Sequence, residues 1–319
     1  MKNFQISSTD CPPSIVQSDM PTPGFGQVLV RITACGLNFA DLLMSKGTYQ
    51  DTPAVPFTLG MEIAGVVTQI GDGVAQVRAG QRVAVFTGSG GLAEYGVFDA
   101  VRCLAIPERM SDVHAAAFQV AYGTSHLALD NRARLQPGET LLVLGAAGGV
   151  GLAAVEIGKL MGANVIAVAR GSDKLAVAKQ AGADHLIDSD TQNIRDEVRA
   201  LGGADVVYDP VGGDQFHAAM RACNPRARVV LIGFASGDIP QIPANILLVK
   251  NITVIGYYWG GYAKFAPDVL SDSLKTLMGW YEQGKLRPHV SHVLPLERAQ
   301  EALNLLASRK STGKVVVTP

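Results

Sequence analysis

The sequence predicts a two-domain α/β protein, in which a compact, barrel-like β domain accompanies a doubly wound parallel sheet of six strands. Three observations lead to this prediction. The chain of 319 residues is long for one hydrophobic core and sufficient for two. Short apolar stretches separated by glycine turns fill the first third of the chain. After residue 140, strand and helix patterns alternate with regular spacing.

The β domain is predicted from four short apolar stretches, at residues 27–32, 63–70, 82–86 and 93–98. Turns rich in glycine separate them. We place this domain at residues 1–119. We expect residues 260–319 to complete it, because the closing apolar strand at 314–317 does not extend the six-stranded sheet. The remaining residues, 120–259, form the second domain.

The second domain is organised around residues 141–151, Leu-Leu-Val-Leu-Gly-Ala-Ala-Gly-Gly-Val-Gly. Four aliphatic residues predict a strand buried on both faces, and a helical pattern follows the glycines. Such a turn directs backbone N–H groups and the positive end of a helix dipole at one spot, which favours a pyrophosphate. We therefore predict cofactor contacts from Ala147, Gly148, Gly149 and Val150. The alternative is a purely conformational use of glycine, since the first glycine of the G-x-G-x-x-G fingerprint is alanine here.

Five further strand patterns follow the glycine turn, at residues 164–169, 185–188, 205–208, 228–233 and 252–257. Helical patterns fill the intervals between them. Together with the first strand they predict six strands joined by right-handed crossovers. This regularity favours dinucleotide binding over a purely conformational turn.

The end of the second strand indicates which nucleotide binds. NAD sites place an acidic residue there, which accepts a hydrogen bond from the ribose 2′-hydroxyl. This chain instead has Arg170, Gly171, Ser172 and Lys174 around that position. A guanidinium, a hydroxyl at a helix N-terminus and an ammonium suit a 2′-phosphate, so we predict NADPH as the cofactor. The alternative is that the two basic residues are solvated surface charges.

The composition argues against several classes of protein. The formal net charge is −1 without a basic block, which argues against nucleic-acid binding. Glycine, proline or a charged residue interrupts each apolar run before it reaches bilayer-spanning length. The first ten residues lack a secretory pattern. The four cysteines are scattered, which favours reduced thiols and a cytoplasmic location.

Six short motifs in order along nearly the whole chain match one family. They are Cys-Gly-Leu-Asn-Phe-Ala-Asp at 35–41, Lys-Gly-Thr-Tyr at 46–49, Leu-Gly-Met-Glu at 59–62, Gly-Leu-Ala-Glu-Tyr at 91–95, the glycine turn at 146–151 and Gly-Lys-Val-Val at 313–316. On these motifs the chain resembles the zinc-independent branch of the medium-chain dehydrogenase/reductase superfamily, close to the zeta-crystallin-like NADPH:quinone oxidoreductases. The resemblance implies a GroES-like β-barrel-type catalytic domain, a Rossmann domain that binds NADPH, and a homodimer paired through the sixth strand.

The resemblance also bears on metal binding. Zinc-using relatives carry a cysteine where this chain has Asn38 and a histidine where it has Met61. An amide and a thioether are poor ligands for Zn²⁺. His289 and His292 have ligand-like spacing but no cluster of thiolates or carboxylates beside them in the sequence. We therefore expect no metal.

The expected reaction is reduction of a conjugated acceptor. A quinone or an enone spreads the incoming negative charge over its conjugated system, so hydride transfer from a nicotinamide needs no Lewis acid. We predict an NADPH-dependent quinone reductase. Two alternatives stay open: an alkenal or enone double-bond reductase on the same scaffold, and a nucleotide-binding protein with vestigial catalysis.

By resemblance, the catalytic residues that line the substrate cleft are Asn38, Asp41 and Tyr49. Asn38 is expected to donate a hydrogen bond to a substrate or nicotinamide oxygen, and Tyr49 to donate its phenol or to stack. Asp41 is open between a catalytic role and a cap on the helix that follows it.

Further cofactor contacts are implied at Thr124 beside the nicotinamide ring, at Ser189 beside the adenosine phosphate, and at Lys314. Thr124 is alternatively bonded to its own helix, and Asp188 weakens a 2′-phosphate site next to Ser189. The ends of the fifth and sixth strands are expected to bring four residues to the cleft, Gly233, Phe234, Tyr257 and Tyr258. The aromatic residues there form a platform for a planar substrate or seal the domain junction.

Overall fold

The computed structural model describes residues 1–8 and 10–319 of the chain. The described residues form two compact units. Unit 1 comprises Met1–Val120 with Pro288–Pro319, and unit 2 comprises Ala121–Arg287. Each unit has a β-sheet and a hydrophobic core of its own.

Strands and helices follow one another along the described chain. The strands are β1 (Lys2–Ile6), β2 (Ser14–Gln17), β3 (Gln27–Leu37), β4 (Phe57–Thr58), β5 (Glu62–Ile70), β6 (Arg82–Phe86), β7 (Tyr95–Asp99), β8 (Cys103–Ala105), β9 (Thr140–Val143), β10 (Asn164–Ala169), β11 (His185–Asp188), β12 (Ala204–Asp209), β13 (Cys223–Leu231), β14 (Thr253–Gly256), β15 (Val290–Pro295) and β16 (Lys314–Thr318). The helices are α1 (Phe39–Met44), α2 (Asp112–Ala116), α3 (Gln119–Leu127), α4 (Gly149–Leu160), α5 (Ser172–Gln180), α6 (Ile194–Ala200), α7 (Gly213–Ala222), α8 (Ala244–Lys250), α9 (Tyr262–Phe265), α10 (Pro267–Glu282) and α11 (Ala299–Ala307). In the part of the chain that the structure describes, no helix is both long and apolar enough to cross a membrane.

Unit 1 is built on a seven-stranded sheet in the order β15-β16-β3-β5-β6-β8, with β7 also paired to β3. A smaller sheet, β2-β1-β4, contributes Phe4 and Ile6 to the same hydrophobic core. Strand β3 is central because it pairs with β16, β5 and β7, and its residues Val28, Val30 and Ile32 are buried in that core. The last strand, β16, pairs antiparallel with β3. The closing strand is therefore part of the sheet of unit 1.

Unit 2 carries six parallel strands in the order β11-β10-β9-β12-β13-β14. The predicted doubly wound sheet is thereby confirmed, with the strand order reversing at β9. Leu141, Leu142 and Val143 of β9 are fully buried, as expected for a parallel strand covered on both faces. The carboxyl ends of β9, β10 and β12 therefore meet at the edge where sheets of this kind bind ligands.

The units differ from the predicted domains at residue 120, which lies in unit 1, and at residues 260–287. The prediction assigns residues 260–287 to the first domain, whereas the structure places them in unit 2. Helix α10 explains the difference, because the Ser273 hydroxyl lies 2.8 Å from His126 Nδ1 and the Trp280 ring packs edge-on against the same imidazole. The pattern of an amphipathic helix shows which face is buried, but not which domain buries it.

Candidate functional site

Helix α1 opens the candidate site in unit 1. The backbone N–H of Asn38, at the N-cap, donates to Asp41 Oδ2 at 2.8 Å, and the Gly60 N–H donates to Asp41 Oδ1 at 3.2 Å. Asp41 is fully buried, and burial raises the pKa of its carboxyl to about 7. The structure therefore gives Asp41 the contacts of a helix cap, which is one of the two roles open from the sequence.

A buried ion pair lies directly beside Asn38. Lys314 Nζ donates to Glu62 Oε1 at 2.6 Å, to Asn38 Oδ1 at 2.6 Å and to the Leu37 carbonyl at 2.7 Å. These three bonds use every donor of an ammonium group. The predicted cofactor contact of Lys314 needs correction for this reason, since the ammonium has no donor left for a nucleotide.

Glu62 is a site residue that the sequence analysis missed. Its Oε1 accepts from Lys314 and, at 2.9 Å, from Asn38 Nδ2, while its Oε2 accepts from the Val120 backbone N–H at 2.9 Å. Glu62 begins the apolar strand β5 and is fully buried. An acidic residue at the start of a buried apolar strand is the signal that would have found it, because such residues are rarely buried without a partner.

The strand register explains why these side chains meet. In the order β16-β3-β5, the residue after Lys314 lies opposite Leu37, and Glu62 lies opposite Gly36. Asn38 follows Leu37, so it leaves β3 between the two neighbouring strands that carry the ion pair. Residues far apart in the sequence are thereby placed in one hydrogen-bonded group.

Two further residues of unit 1 bear on the predictions. Tyr49 is half-buried and packs against the hydrophobic core, and Met61 is buried within that core. Among the residues the structure describes, no group of three or more His, Cys, Asp or Glu side chains is arranged to hold a metal ion. Asn38 and Met61 stand where zinc-using relatives carry a cysteine and a histidine. Here Asn38 is a hydrogen-bonded amide and Met61 is a thioether in the core.

The glycine turn in unit 2 has the geometry that the fingerprint requires. It leads from β9 into α4, with Gly145 at a φ of 58° and Gly148 at the helix N-cap. A Cβ at Gly151 would lie 2.2 Å from the Gly145 carbonyl oxygen, so this close packing of helix against strand requires glycine. A Cβ at Gly148 would meet the same oxygen at 3.4 Å, an ordinary contact, which leaves the approach to the turn open.

The start of α4 suits an anion. Within the described residues, Gly148 provides no side-chain cap, and the first turn holds no acidic residue. Gly149 and Val150 are the first two helical residues, so their backbone N–H groups have no acceptor inside the helix. The helix dipole adds positive charge at the same place. The structure thus brings Ala147, Gly148, Gly149 and Val150 together in a turn that fits a pyrophosphate.

Ser125 of α3 contacts this turn and was not predicted. Its hydroxyl lies 2.8 Å from the Val150 carbonyl oxygen and 3.0 Å from the Tyr208 hydroxyl. Ser125 and Tyr208 are both fully buried. The predicted residue Thr124 is its neighbour on α3 and is also buried. Ser125 therefore makes a contact between α3 and the glycine turn, while the role of Thr124 toward a nicotinamide stays a prediction.

The residues predicted to bind a 2′-phosphate lie on two adjacent loops. Strands β10 and β11 are parallel, with Ala169 opposite Asp188, so their ends lie side by side. The first loop and the start of α5 carry Arg170, Gly171, Ser172 and Lys174, and the second loop carries Ser189. The structure therefore brings this predicted set together.

Arg170 and Asp188 both have partners in these loops. Asp188 Oδ1 accepts from the backbone N–H groups of Gly171 at 3.1 Å and Asp190 at 3.0 Å, and these bonds lower the pKa of its carboxyl. Arg170 Nε lies 3.1 Å from Asp190 Oδ1, and both side chains are about half exposed. An exposed ion pair of this kind contributes little to stability, so a phosphate can replace the Asp190 carboxylate as the partner of Arg170.

The ends of β13 and β14 carry the last predicted residues. Gly233 N–H donates to the final carbonyl of β12 at 3.3 Å, and Phe234 follows it, partly buried. The ring of Tyr257 lies 5.9 Å from that of Tyr262, and burial raises the pKa of its hydroxyl. Tyr258 is partly buried beside it. The Tyr257 hydroxyl is buried while the residue as a whole is partly buried, so the predicted aromatic platform stays a prediction.

Two family models match the chain. "Alcohol dehydrogenase GroES-like domain" matches residues 24–108, and "Zinc-binding dehydrogenase" matches residues 149–275. The chain is 41% identical over 313 residues to the quinone oxidoreductase-like protein 2 homolog of Nematostella vectensis, covering 96% of this chain and 86% of that protein. It is 35% identical over 317 residues to the human synaptic vesicle membrane protein VAT-1 homolog, covering 94% and 80% respectively.

Solved structures agree with these sequence matches. The quinone oxidoreductase of Thermus thermophilus, whose complex with NADPH has also been determined, has a TM-score of 0.89 to this chain. The two are 34% identical, and the match covers 100% of each chain. The chain therefore belongs to the medium-chain dehydrogenase/reductase superfamily, in its zinc-independent, quinone oxidoreductase-like branch.

Proposed function

We propose that this chain is an NADPH-dependent, zinc-independent oxidoreductase that transfers a hydride to a quinone. The observation that carries the proposal is the glycine turn between β9 and α4, where Gly151 packs closely and the helix start offers its N–H groups. The names of the relatives support the quinone as acceptor.

In this proposal, the backbone N–H groups of Gly149 and Val150 hold the pyrophosphate. Arg170, Ser172 and Lys174 hold the 2′-phosphate. Bound NADPH supplies the hydride. The proposal includes no Zn²⁺ in unit 1, because Asn38 and Met61 are poor ligands for this ion. Asn38 and Tyr49 are the proposed contacts of the acceptor, whose conjugated system spreads the added charge.

Turnover tests this proposal directly. We expect the absorbance of NADPH to fall when the protein is mixed with a benzoquinone or a naphthoquinone, and to fall more slowly with NADH. An α,β-unsaturated aldehyde is the matched acceptor for the alternative of a double-bond reductase, and a higher kcat/KM for the aldehyde would favour that alternative. Tight NADPH binding without turnover of either acceptor would favour a nucleotide-binding protein with vestigial catalysis.

A homodimer paired through β14 belongs to the same proposal. Strand β14 is the last in the order of its sheet, and no residue of the adjoining helix α8 is buried. Leu248 and Val249 of this helix are 78% and 76% exposed. Exposed aliphatic residues beside an edge strand favour pairing with a second copy. Light scattering should give twice the monomer mass, and Leu248→Asp with Val249→Asp should give the monomer.

We also propose a cytoplasmic location, which the four free cysteines support.

A further inference from the structure

Two buried hydroxyl groups support the glycine turn of unit 2 from inside the protein. Ser125 of α3 and Tyr208 of β12 are both fully buried. Ser125 Oγ lies 2.8 Å from the Val150 carbonyl oxygen, 2.9 Å from the Ala121 carbonyl oxygen and 3.0 Å from the Tyr208 hydroxyl. The bond to Ala121 stays within α3, whereas the bond to Val150 reaches the first turn of α4. Ser125 therefore connects α3 and β12 to the start of the helix that follows the glycine turn.

The chemistry of the partners fixes the direction of these bonds. A carbonyl oxygen can only accept, so the single hydrogen of the Ser125 hydroxyl is directed to the two carbonyl groups. The Tyr208 hydroxyl must then donate to Ser125 Oγ, which is its one hydrogen-bond partner among the described residues. Hydrogen bonds arranged in such a series polarise and strengthen one another. The series runs from Tyr208 through Ser125 to the Val150 carbonyl.

The Val150 carbonyl shares a peptide group with the Gly151 N–H. This group is planar, so a bond that fixes its carbonyl also fixes the direction of its N–H. Gly151 is the third residue of α4, and its N–H has no acceptor inside the helix. Glycine at positions 149 and 151 gives the backbone on either side of Val150 extra conformational freedom. The Ser125 hydroxyl therefore restrains a peptide group that can donate to an anion at the start of α4.

We infer that Ser125 and Tyr208 are positioning residues for the pyrophosphate of the nucleotide, and that they act through the peptide group between Val150 and Gly151. This inference rests on the proposed function, which assigns the pyrophosphate to the backbone of the glycine turn. Both side chains are fully buried, so they act without touching the nucleotide. They hold the Gly151 N–H in place before the nucleotide binds, so less free energy is lost in ordering the turn.

Equilibrium titration of three nucleotides tests this role. NADPH and NADH carry a pyrophosphate, whereas adenosine 2′-phosphate carries only the phosphate that distinguishes NADPH from NADH. We expect Ser125→Ala to raise Kd for NADPH and NADH by the same factor, roughly tenfold, as the loss of one hydrogen bond does. Its Kd for adenosine 2′-phosphate should stay unchanged. Tyr208→Phe should raise the same two values about threefold, because Ser125 keeps its bond to Val150.

Ser308→Ala is the matched control. The Ser308 hydroxyl is exposed and donates to carbonyl groups of its own helix α11, in unit 1. This variant loses the same hydroxyl group as Ser125→Ala, and it should keep all three native values of Kd.

The peptide group itself provides a second measurement, which does not require Ser125→Ala to fold. Protein labelled with ¹³C-carbonyl valine and ¹⁵N-glycine gives one signal for each Val-Gly pair, and the sequence has two such pairs, at 150–151 and 211–212. Val211→Ile removes the second signal and thereby assigns the first. We expect the Val150–Gly151 signal to move when NADPH binds, and to differ between the native protein and Tyr208→Phe without nucleotide. A signal that stays in place in either comparison would overturn the inference.

The outcomes separate this inference from the proposed function. Native affinity of Ser125→Ala for both dinucleotides, or an equal loss of affinity for adenosine 2′-phosphate, would overturn the positioning role even if the protein reduces quinones. An equal rise of Kd for NADPH and NADH would support it even if neither is oxidised, in which case the proposed function fails alone. Failure of the native protein to bind either dinucleotide would overturn both.

Discussion

The two regions that carry the candidate function are built in opposite ways. In unit 1, buried side chains bond to one another, and Lys314 has every donor in use. In unit 2, the glycine turn offers backbone N–H groups at a helix start that, within the described residues, no side chain caps. In unit 1 the side chains have already made their hydrogen bonds within the protein, whereas in unit 2 the backbone N–H groups form theirs when a ligand binds. Substitutions in the hydrogen-bonded group of unit 1 should therefore affect folding, whereas substitutions on the open side of the glycine turn should affect binding, and four predictions test this contrast.

The largest effect is expected from Lys314→Met. The substitution leaves the buried carboxylate of Glu62 without its counter-charge, and removal of one partner of a buried ion pair costs about 3–5 kcal/mol. Denaturant unfolding measures the loss. The double variant Lys314→Met with Glu62→Leu should recover part of it, because no charge is then left unpaired. Lys2→Met, in the exposed pair with Glu297, should leave the unfolding free energy nearly unchanged.

Asp41 should give unit 1 a dependence on pH. Its pKa is about 7 in the folded chain against an ordinary value of 3.8, so the folded state holds the proton more tightly. The contribution of Asp41 to stability is therefore complete below the lower pKa and is lost as pH rises through the higher one. The slope between them is about 1.4 kcal/mol per pH unit. Unfolding measured at several pH values should show this slope in the native protein and not in Asp41→Asn; equal slopes would contradict it.

Paired substitutions in the glycine turn should separate folding from binding. Gly151→Ala places a Cβ 2.2 Å from a backbone oxygen and should destabilise the protein by about 1–3 kcal/mol. Gly148→Ala places it at 3.4 Å with a φ of −78°, which alanine adopts readily, so stability should change much less. Its methyl group lies at the open approach to the turn, so NADPH affinity should fall. Thermal unfolding and a nucleotide titration on both variants check this, and loss of stability in Gly148→Ala alone would refute it.

The same contrast explains how far the sequence could predict the molecule. The glycine turn and the strands around it are local patterns, and residues 141–151 alone indicate a buried strand, a tight turn and a helix start. The group around Asn38 is not local, because Glu62 and Lys314 meet only through the register of β5, β3 and β16. No spacing in the sequence connects residues separated by 252 positions. Ser125 was missed for the same reason, since its contact with Val150 depends on the packing of α3.

The smallest effect is expected at the loops after β10 and β11. Arg170 is half exposed and already paired with Asp190. Replacing the Asp190 carboxylate by a phosphate therefore gains less binding free energy than forming a new buried hydrogen bond would. We expect Arg170→Ala with Lys174→Ala to raise KM for NADPH roughly tenfold and to leave KM for NADH nearly unchanged, because only NADPH carries the 2′-phosphate. Steady-state kinetics with one quinone and both nucleotides measures the two values. Arg298→Ala, which breaks an exposed pair with Glu301 in unit 1, is the matched control and should change neither. An equal rise for both nucleotides would show that these side chains do not contact the 2′-phosphate, and binding in unit 2 would then depend on the glycine turn alone.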